Sequence, residues 1–270
     1  MLVTTSIIIT SYNQLSTLRL LFRSLERQTH QNFEVLIADD GSSDGTADFC
    51  LQKSSFDLFF LTQPDEGYRK SKIINEALRH ARGQYLIFLD GDVILERHFV
   101  QDHLDLKKPD HFVCGRRVEL GPCLSQQVTE SDVCLGKFDR LHWSILWSAF
   151  KKDTTRVKRG WRVSHPVLRK LLRFNHPLDL LGSNFSGWKS DVLAVNGFNE
   201  SIESYWGEDG DLFIRLRNRG KISIGAKSMC VQYHLFHKRR EPDLANIQSY
   251  QKLLRNTEYR WAVNGYRIKR

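Results

Sequence analysis

The chain has 270 residues, 41% of them hydrophobic, which is enough for one large domain or two small ones. It has no run of the roughly 18 apolar residues that span a bilayer, and no basic segment before its first apolar run to mark a signal peptide. Its five cysteines include no Cys-x-x-Cys, so neither disulfides nor a zinc knuckle is expected. These features predict a cytoplasmic protein. The net charge of +9 favours anionic partners: nucleic acid, nucleotides, anionic lipids or phosphorylated glycans.

Strand-like and helical segments alternate along the first half of the chain. Apolar and β-branched runs predict strands at residues 6–10, 33–38, 57–62, 85–89 and 112–118. Helical spacing of apolar residues predicts helices at 14–28, 45–53, 70–81 and 97–107, with Ser43 or Asp44 capping the second and Gly83 ending the third. This alternation predicts an α/β, Rossmann-like fold with a mostly parallel central sheet flanked by helices.

The second half has a less regular pattern. Residues 121–180 predict a helical insertion, in which Trp143 and Trp147 share a helix face and a basic stretch, 151–173, follows. Further basic clusters lie at 238–240 and 267–270. Regular structure resumes at 181–188, followed by an amphipathic helix at 208–219, strand-like pieces within 222–233 and a polar helix at 243–259.

Polar clusters follow the predicted strands, at Thr10–Asn13, Asp39–Asp44, Asp90–Asp92 and Tyr205–Asp211. Ligands of open α/β sheets bind at the carboxyl ends of the strands. Carboxylates that converge there repel one another unless a cation lies between them, and a divalent ion bound with a pyrophosphate provides one. The alternative is that the Asp-Gly pairs form turns and the acids cap helices. No GxxxxGK[ST] or GxGxxG follows the first strand, so P-loop and dinucleotide-binding readings lack support.

Three segments, Ile7-Ile-Ile-Thr-Ser-Tyr-Asn13, Asp39-Asp-Gly-Ser-Ser-Asp-Gly-Thr46 and Phe88-Leu-Asp-Gly-Asp92, resemble the markers of the family 2 inverting glycosyltransferases with a GT-A fold. Two later segments, Gly187–Glu200 and Tyr205–Leu216, resemble the galactosyltransferase-type module of β4-galactosyltransferases and chondroitin-polymerase-like enzymes. The resemblance covers roughly residues 3–118 and 181–237. It implies one domain over 1–270: a nucleotide-sugar half (1–118), a helical insertion (119–180), an acceptor and catalytic half (181–240) and a C-terminal helix (241–270).

The resemblance also implies donor and metal roles. Asp40 would contact the uridine of a nucleotide-sugar, and Asp92 would ligate Mn²⁺ or Mg²⁺. His234 or His237 would add a metal ligand, with His234 favoured because it lies nearer the strand end, although either can be a solvated or hydrogen-bonded histidine. The remaining donor-binding candidates are Thr10, Tyr12, Asn13, Arg69, Lys72, Asp90 and Gly91; those in the Gly67–Lys72 loop precede a helix N-terminus suited to a diphosphate.

The catalytic pair implied by the resemblance is Asp209, as the base, with Glu208 beside it. Inverting transfer is a single displacement in which a carboxylate takes the proton of the acceptor hydroxyl. The alternative for both acids is complementation of the helix dipole. Trp206 stands where the relatives commonly have glycine, so the acceptor pocket is expected to differ in shape. Trp188, Tyr205 and Trp206 are candidates for stacking on sugar faces, or else core residues.

These inferences predict a metal-dependent inverting glycosyltransferase that uses a UDP-sugar and a glycan or glycolipid acceptor, in lipopolysaccharide core or surface polysaccharide synthesis. We expect it to be cytoplasmic, with peripheral contact to the anionic inner membrane face through the basic insertion, and not to bind nucleic acid. Two alternatives remain: a catalytically silent sugar- or nucleotide-binding module on the same fold, and a basic nucleic-acid-binding protein, which the charge alone supports.

Overall fold

A computed structural model describes residues 4–52, 54–238, 241 and 243–267. The strands are β1 (Thr5–Ser11), β2 (Phe33–Asp39), β3 (Asp57–Thr62), β4 (Tyr85–Asp90), β5 (Val93–Leu95), β6 (His111–Cys114), β7 (Arg117–Glu119), β8 (Phe185–Trp188), β9 (Ile222–Gly225) and β10 (Gln232–His234). The helices are α1 (Leu15–Glu26), α2 (Thr46–Cys50), α3 (Lys70–His80), α4 (Phe99–Leu106), α5 (Pro122–Gln127), α6 (Glu130–Cys134), α7 (Trp143–Phe150), a 3-10 helix (Val157–Gly160), α8 (Pro166–Leu171), α9 (Lys189–Ala194), α10 (Glu208–Asn218) and α11 (Leu244–Arg255).

The central sheet has seven strands in the order β3-β2-β1-β4-β8-β6-β9. Its strands pair in parallel except at β8, which runs antiparallel to both β4 and β6. The mostly parallel α/β sheet expected from the βα alternation is therefore present. Because the side chains of a strand alternate between faces, Ile7 and Ile9 pack on the α1 side while Ile8 packs against α3.

A second sheet, with the order β5-β10-β7, was not expected from the sequence. The predicted strand 112–118 divides into β6 and β7, which belong to different sheets. The turn between them fits closely around Gly115, since a Cβ there would lie 2.0 Å from Oδ1 of Asn184. A third apolar cluster, including Phe138, Ile145 and Tyr233, packs the insertion against this small sheet.

Two predicted helix boundaries differ from the structure. Gly83 does not end α3, whose C-cap is Ala81; instead, the Gly83 N–H donates to Oγ of Ser6 at 2.8 Å where β4 approaches β1. The N-cap position of α2 is Gly45, but Asp44 still contributes at this end, because its Oδ1 accepts from the N–H of Thr46 at 3.2 Å. Oδ2 of Asp44 accepts from the N–H of Leu15 at 2.8 Å, at the start of α1. Asp44 therefore joins the loop after β2 to the loop after β1.

Among the described residues, no helix combines the length and apolar character needed to cross a membrane. The predicted basic clusters at 238–240 and 267–270 lie mostly outside the described residues, which include only Lys238 and Arg267.

Candidate active site

A cleft of about 420 Å³ opens at the carboxyl ends of β1, β2 and β4. Its lining includes all of the following predicted residues: Thr10, Tyr12, Asn13, Asp40, Asp90, Asp92, Tyr205, His234 and His237. The parallel pairing of β1 with its two neighbours places Ser11 beside Asp39 and Thr10 beside Asp90, so the polar ends of three strands meet at one edge. This is the convergence that the alternating strands and helices predict.

Asp92, His234 and His237 form a cluster in the cleft whose candidate ligand atoms lie within 4.8 Å of one another. Oδ2 of Asp92 is 3.4 Å from Nε2 of His234 and 3.1 Å from Nε2 of His237. The second sheet creates this contact, because β10 runs antiparallel to β5 and pairs His234 with Val93, the residue after Asp92. The sequence separates these groups by more than 140 residues, and a strand pairing not visible in the sequence joins them.

The donor set fits a divalent transition metal. Oδ1 of Asp92 is buried and has no hydrogen-bond partner within the described part of the chain, so an acceptor oxygen is available. Nδ1 of His234 lies 3.1 Å from Oε2 of Glu119, an outer carboxylate that orients the ring and leaves Nε2 facing Asp92. One carboxylate oxygen and two imidazole nitrogens are ligands that suit Mn²⁺ and similar ions.

Asp92 and the two histidines also interact electrostatically. Burial alone would raise the pKa of Asp92, but its hydrogen bonds with the two histidines hold that pKa far below the ordinary value. Burial alone would lower the pKa of His234, but its hydrogen bonds with Asp92 and Glu119 raise it to about 9. Protons and a metal ion would compete for the histidine nitrogens, so metal binding is expected to weaken as the pH falls.

Lys70 is a site residue that sequence reasoning missed. Its Nζ lies 2.8 Å from Oδ1 of Asp90 and 3.4 Å from Oε1 of Glu208. Burial opposes its charge, but the attraction of Asp90 and Glu208 raises the pKa of Lys70 well above the ordinary value. The ammonium group thus lies between the Asp90 and Glu208 carboxylates and neutralises part of their charge. Thr10 donates its hydroxyl to the same oxygen of Asp90 at 2.9 Å.

Arg69 and Lys72, the cations favoured from the sequence, do not line the cleft. The Arg69 guanidinium pairs with Glu66, and Lys72 is exposed on the outer face of α3. Only the backbone N–H of Arg69 reaches a site residue, donating to Oδ2 of Asp40 at 2.9 Å. Helical spacing carries the signal that identifies Lys70: it precedes the buried Ile73 and Ile74 by three and four residues, so it continues their face.

The residues assigned to the donor lie around the first two loops. Oδ1 of Asp40 accepts from Nε2 of Gln63 at 2.5 Å, and burial raises the pKa of Asp40. Tyr12 donates its hydroxyl to Oδ2 of Asp65 at 3.0 Å. Asn13 has a left-handed φ of 50°, and its Oδ1 accepts from the N–H of Ser43 at 2.9 Å. Gly91 is not in the lining, but its N–H donates to the carbonyl of Thr10 at 2.9 Å and fixes the turn between Asp90 and Asp92.

Glu208 and Asp209 begin α10 beside a smaller cavity that also reaches Lys70 and Thr10. Oε1 of Glu208 accepts from the Tyr68 hydroxyl at 2.8 Å, and its Oε2 is buried without a hydrogen-bond partner among the described residues. Asp209 accepts from the N–H groups of Gly182 at 3.0 Å and Gly210 at 2.8 Å. Burial, with the neighbouring Glu208 charge, raises the pKa of Asp209 to about 6.

The three aromatic candidates for acceptor binding have different locations. Tyr205 lines the cleft, with its ring centroid 6.2 Å from that of Tyr68. Trp206 has a φ of 85° and packs edge-on against Tyr250. Trp188, expected near the acceptor, lies at the opposite end of the strands. Because β8 runs antiparallel to β4, Trp188, its last residue, pairs with Tyr85, where β4 begins. Its indole N–H donates to the carbonyl of Lys108 at 2.8 Å.

The model of the family described as Glycosyl transferase family 2 matches residues 6–169, which is more than half of the chain. The chain belongs to glycosyl transferase family 2. It is therefore a glycosyltransferase, in agreement with the resemblance of its motifs. The matched region contains Asp40, Lys70, Asp90 and Asp92, whereas Glu208, Asp209 and both histidines lie beyond it.

The glycosyltransferase is 29% identical over 277 residues to the uncharacterized glycosyltransferase YfnE of Bacillus subtilis (strain 168), with 94% of this chain and 69% of that protein covered. It is 25% identical over 229 residues to the chondroitin synthase of Escherichia coli, and this match covers 80% of the chain but only 32% of the synthase. Among solved structures, the mannosyltransferase PcManGT from Pyrobaculum calidifontis, in complex with GDP-Man and Mn²⁺, superposes with a TM-score of 0.56 at 16% identity, covering 87% of this chain and 57% of that one. The GT-A fold expected from the motifs is confirmed.

Proposed function

We propose that this glycosyltransferase is a metal-dependent inverting enzyme that transfers a sugar from a UDP-linked donor to a glycan or glycolipid acceptor, in the synthesis of lipopolysaccharide core or another surface polysaccharide. One observation carries the proposal: the Asp92–His234–His237 cluster lies in one cleft with Asp90, and Lys70 connects Asp90 to Glu208, the neighbour of Asp209. The proposed metal site, formed by Asp92 and the two histidines, is thus adjacent to the proposed proton acceptor, Asp209.

The donor would occupy the cleft, whose volume of about 420 Å³ is in the range of small-molecule sites. Asp40 is the candidate acceptor for the imide N–H of uracil, with Tyr12 and Asn13 next to it. Asp90 is the candidate ribose contact, and its negative charge is offset by Lys70. The side chains of Arg69 and Trp188 do not reach the cleft and have no proposed contact with the substrates.

Asp92, His234 and His237 would hold the divalent cation, Mn²⁺ or Mg²⁺. When bound, the ion would stabilise the negative charge that develops on the nucleotide diphosphate as it leaves. The Mn²⁺ in the complex of the structurally similar PcManGT supports this assignment. Glu119 would orient His234 from behind, as outer carboxylates do for metal-bound histidines.

Asp209 would act as the base. The acceptor hydroxyl attacks the anomeric carbon, its proton passes to the Asp209 carboxylate, and the bond to the diphosphate oxygen breaks with its electron pair leaving on the diphosphate. A pKa of about 6 makes Asp209 a better proton acceptor than an ordinary aspartate while leaving it ionised at neutral pH. Tyr205 and Trp206 are candidates for contact with the acceptor.

A glycan or glycolipid acceptor is supported by the chondroitin synthase, a relative whose name denotes a polysaccharide product. A glycolipid would bring the enzyme to a membrane surface, and we propose peripheral contact with an anionic bilayer.

The test is a thermal-shift panel of UDP-, GDP- and dTDP-sugars with and without Mn²⁺, followed by donor hydrolysis. We expect UDP-sugars to stabilise the protein most and only with the metal, and hydrolysis to be lost in Asp209→Asn but kept in the exposed control Asp105→Asn. Stabilisation by none of the sugars would contradict the donor assignment. Donor binding without turnover in any assay would favour a silent module instead.

A further inference from the structure

Helix α7 turns its apolar side chains away from the protein. Trp143, Leu146, Trp147 and Phe150 are 69%, 50%, 53% and 77% exposed. They recur at intervals of three and four residues and so share one face. The opposite face contributes Ile145 to the core, at 0% exposure. A helix on a water-facing surface shows the reverse arrangement, with polar side chains outside.

Helix α8 repeats this inversion. Val167 and Leu171 are 68% and 77% exposed, whereas Arg169 between them is 2% exposed. The Arg169 guanidinium is fully engaged inside, donating to Oδ1 of Asn175 and to the carbonyls of Val163 and Lys227. Both of these helices of the insertion thus turn apolar side chains outward, and in α8 a cation lies inside as well. Single exposed apolar residues are common, but apolar patches that repeat in this way mark an interaction surface.

Exposed cations accompany α7. Lys151 and Lys152 follow its last residue and are exposed, and Nζ of Lys151 lies 5.2 Å from the ring centroid of Trp147. Asp153, the single acid in 151–173, is turned inward, where it accepts from the N–H groups of Cys123 and Leu124. Not every cation of the basic segment is available to a partner, because Arg162 forms a salt bridge with Asp102. The free charge is therefore positive next to the exposed tryptophans.

We infer that α7 docks on an anionic bilayer, with Trp143, Leu146, Trp147 and Phe150 inserted at the boundary of headgroups and acyl chains and Lys151 and Lys152 at the phosphates. Tryptophans belong at this boundary because their rings are apolar and their N–H groups polar. Short apolar helices bind there when basic residues add attraction to anionic lipid. This inference rests on the proposed function in one respect: a lipid-linked acceptor would be the reason for the protein to bind a membrane.

The docking helix connects to the active site through a short path. Thr155, five residues after α7, forms an antiparallel bridge with Glu119, and the two exchange backbone hydrogen bonds of 2.9 and 3.2 Å. Glu119 in turn contacts His234. A membrane bound at α7 would therefore hold the cleft at a fixed orientation to the lipid surface.

The experiment is co-sedimentation of the full chain with vesicles of phosphatidylcholine, with or without phosphatidylglycerol, and it needs no donor, metal or acceptor. We expect binding to the anionic vesicles and a loss of about tenfold or more in Trp143→Ser/Trp147→Ser. The matched apolar control is Leu51→Ala, 76% exposed on another surface. Lys151→Gln/Lys152→Gln should weaken anionic binding, whereas the exposed pair Lys252→Gln/Arg255→Gln removes the same charge from α11 and should not.

Equal binding of the double tryptophan variant and the wild type would overturn the inference, as would equal binding to neutral and anionic vesicles. So would a wild type that binds no vesicles but forms a dimer that the tryptophan variant abolishes, since the face would then be a contact between two copies. Thermal melts of every variant exclude unfolding as the cause. An inactive protein that still binds vesicles through α7 would contradict the proposed function and leave the docking surface intact.

Discussion

Replacing Asp209 with asparagine should remove activity and increase stability. The pKa of Asp209 is raised from 3.8 to about 6, first by burial and then by the adjacent Glu208 charge. One pKa unit corresponds to about 1.36 kcal/mol, so the ionised carboxylate costs the folded state about 3 kcal/mol at alkaline pH. Asparagine has no charge, but its single oxygen can accept from only one of the Gly182 and Gly210 N–H groups, which costs about 1 kcal/mol. The net gain expected in Asp209→Asn is about 2 kcal/mol at pH 8.

The sign of the pH dependence makes this prediction specific. A carboxyl whose folded pKa is raised destabilises the fold fully above that pKa, and the penalty shrinks as the pH falls toward the unfolded value. About half of the penalty remains at pH 5, so the advantage of Asp209→Asn should fall from about 2 kcal/mol at pH 8 to less than about 1 kcal/mol at pH 5. Urea unfolding at both pH values measures it, with the exposed Asp105→Asn as the control. An advantage that is the same at both pH values, or a variant less stable than the wild type at pH 8, would show that the Asp209 carboxylate does not destabilise the fold.

Three further predictions concern the supporting residues. Lys70→Met leaves Asp90 and Glu208 without their shared ammonium group and should lower the free energy of unfolding by about 3–5 kcal/mol in urea; a loss below about 1 kcal/mol would contradict the role given to Lys70. Glu119→Gln should weaken Mn²⁺ binding about 10- to 100-fold in a calorimetric titration, whereas Glu130→Gln, which removes a surface pair with Arg23, should leave it unchanged. Gly83→Ala places a Cβ 2.5 Å from the backbone nitrogen of Ser6 and should destabilise by about 1–3 kcal/mol, whereas Gly187→Ala meets nothing closer than 3.5 Å and should be tolerated better in the same thermal melts.

The sequence predicts the first half of the fold well because its signals are local. Periodic apolar residues identify α1, α3 and the strands β1 to β4, and the parallel pairing then brings Asp40 and Asp90 to one edge. The motif resemblance adds the family, since composition and periodicity cannot distinguish one doubly wound enzyme from another.

The sequence-based predictions that differ from the structure concern long-range strand pairing and the direction of side chains. Trp188 was expected near the acceptor, but the antiparallel direction of β8 has no sequence signature and carries the indole to the opposite end of the strands. The composition of the loop favours Arg69 and Lys72, whereas the helical face that Lys70 shares with the buried Ile73 decides which cation points inward. The outward apolar face of α7 was also hidden, because periodicity shows that a helix has an apolar stripe but not which way the stripe points.

The proposed metal site can be tested by titrating Mn²⁺ into the protein in the presence of UDP. The titration compares the wild type, Asp92→Asn, His234→Gln and the control His98→Gln, a histidine that pairs with Glu96 away from the cleft. We predict one Mn²⁺ per chain in the wild type and the control, with affinity reduced at least about tenfold in Asp92→Asn and His234→Gln. Equal Mn²⁺ affinity in all four proteins would show that Asp92 and His234 do not hold the ion.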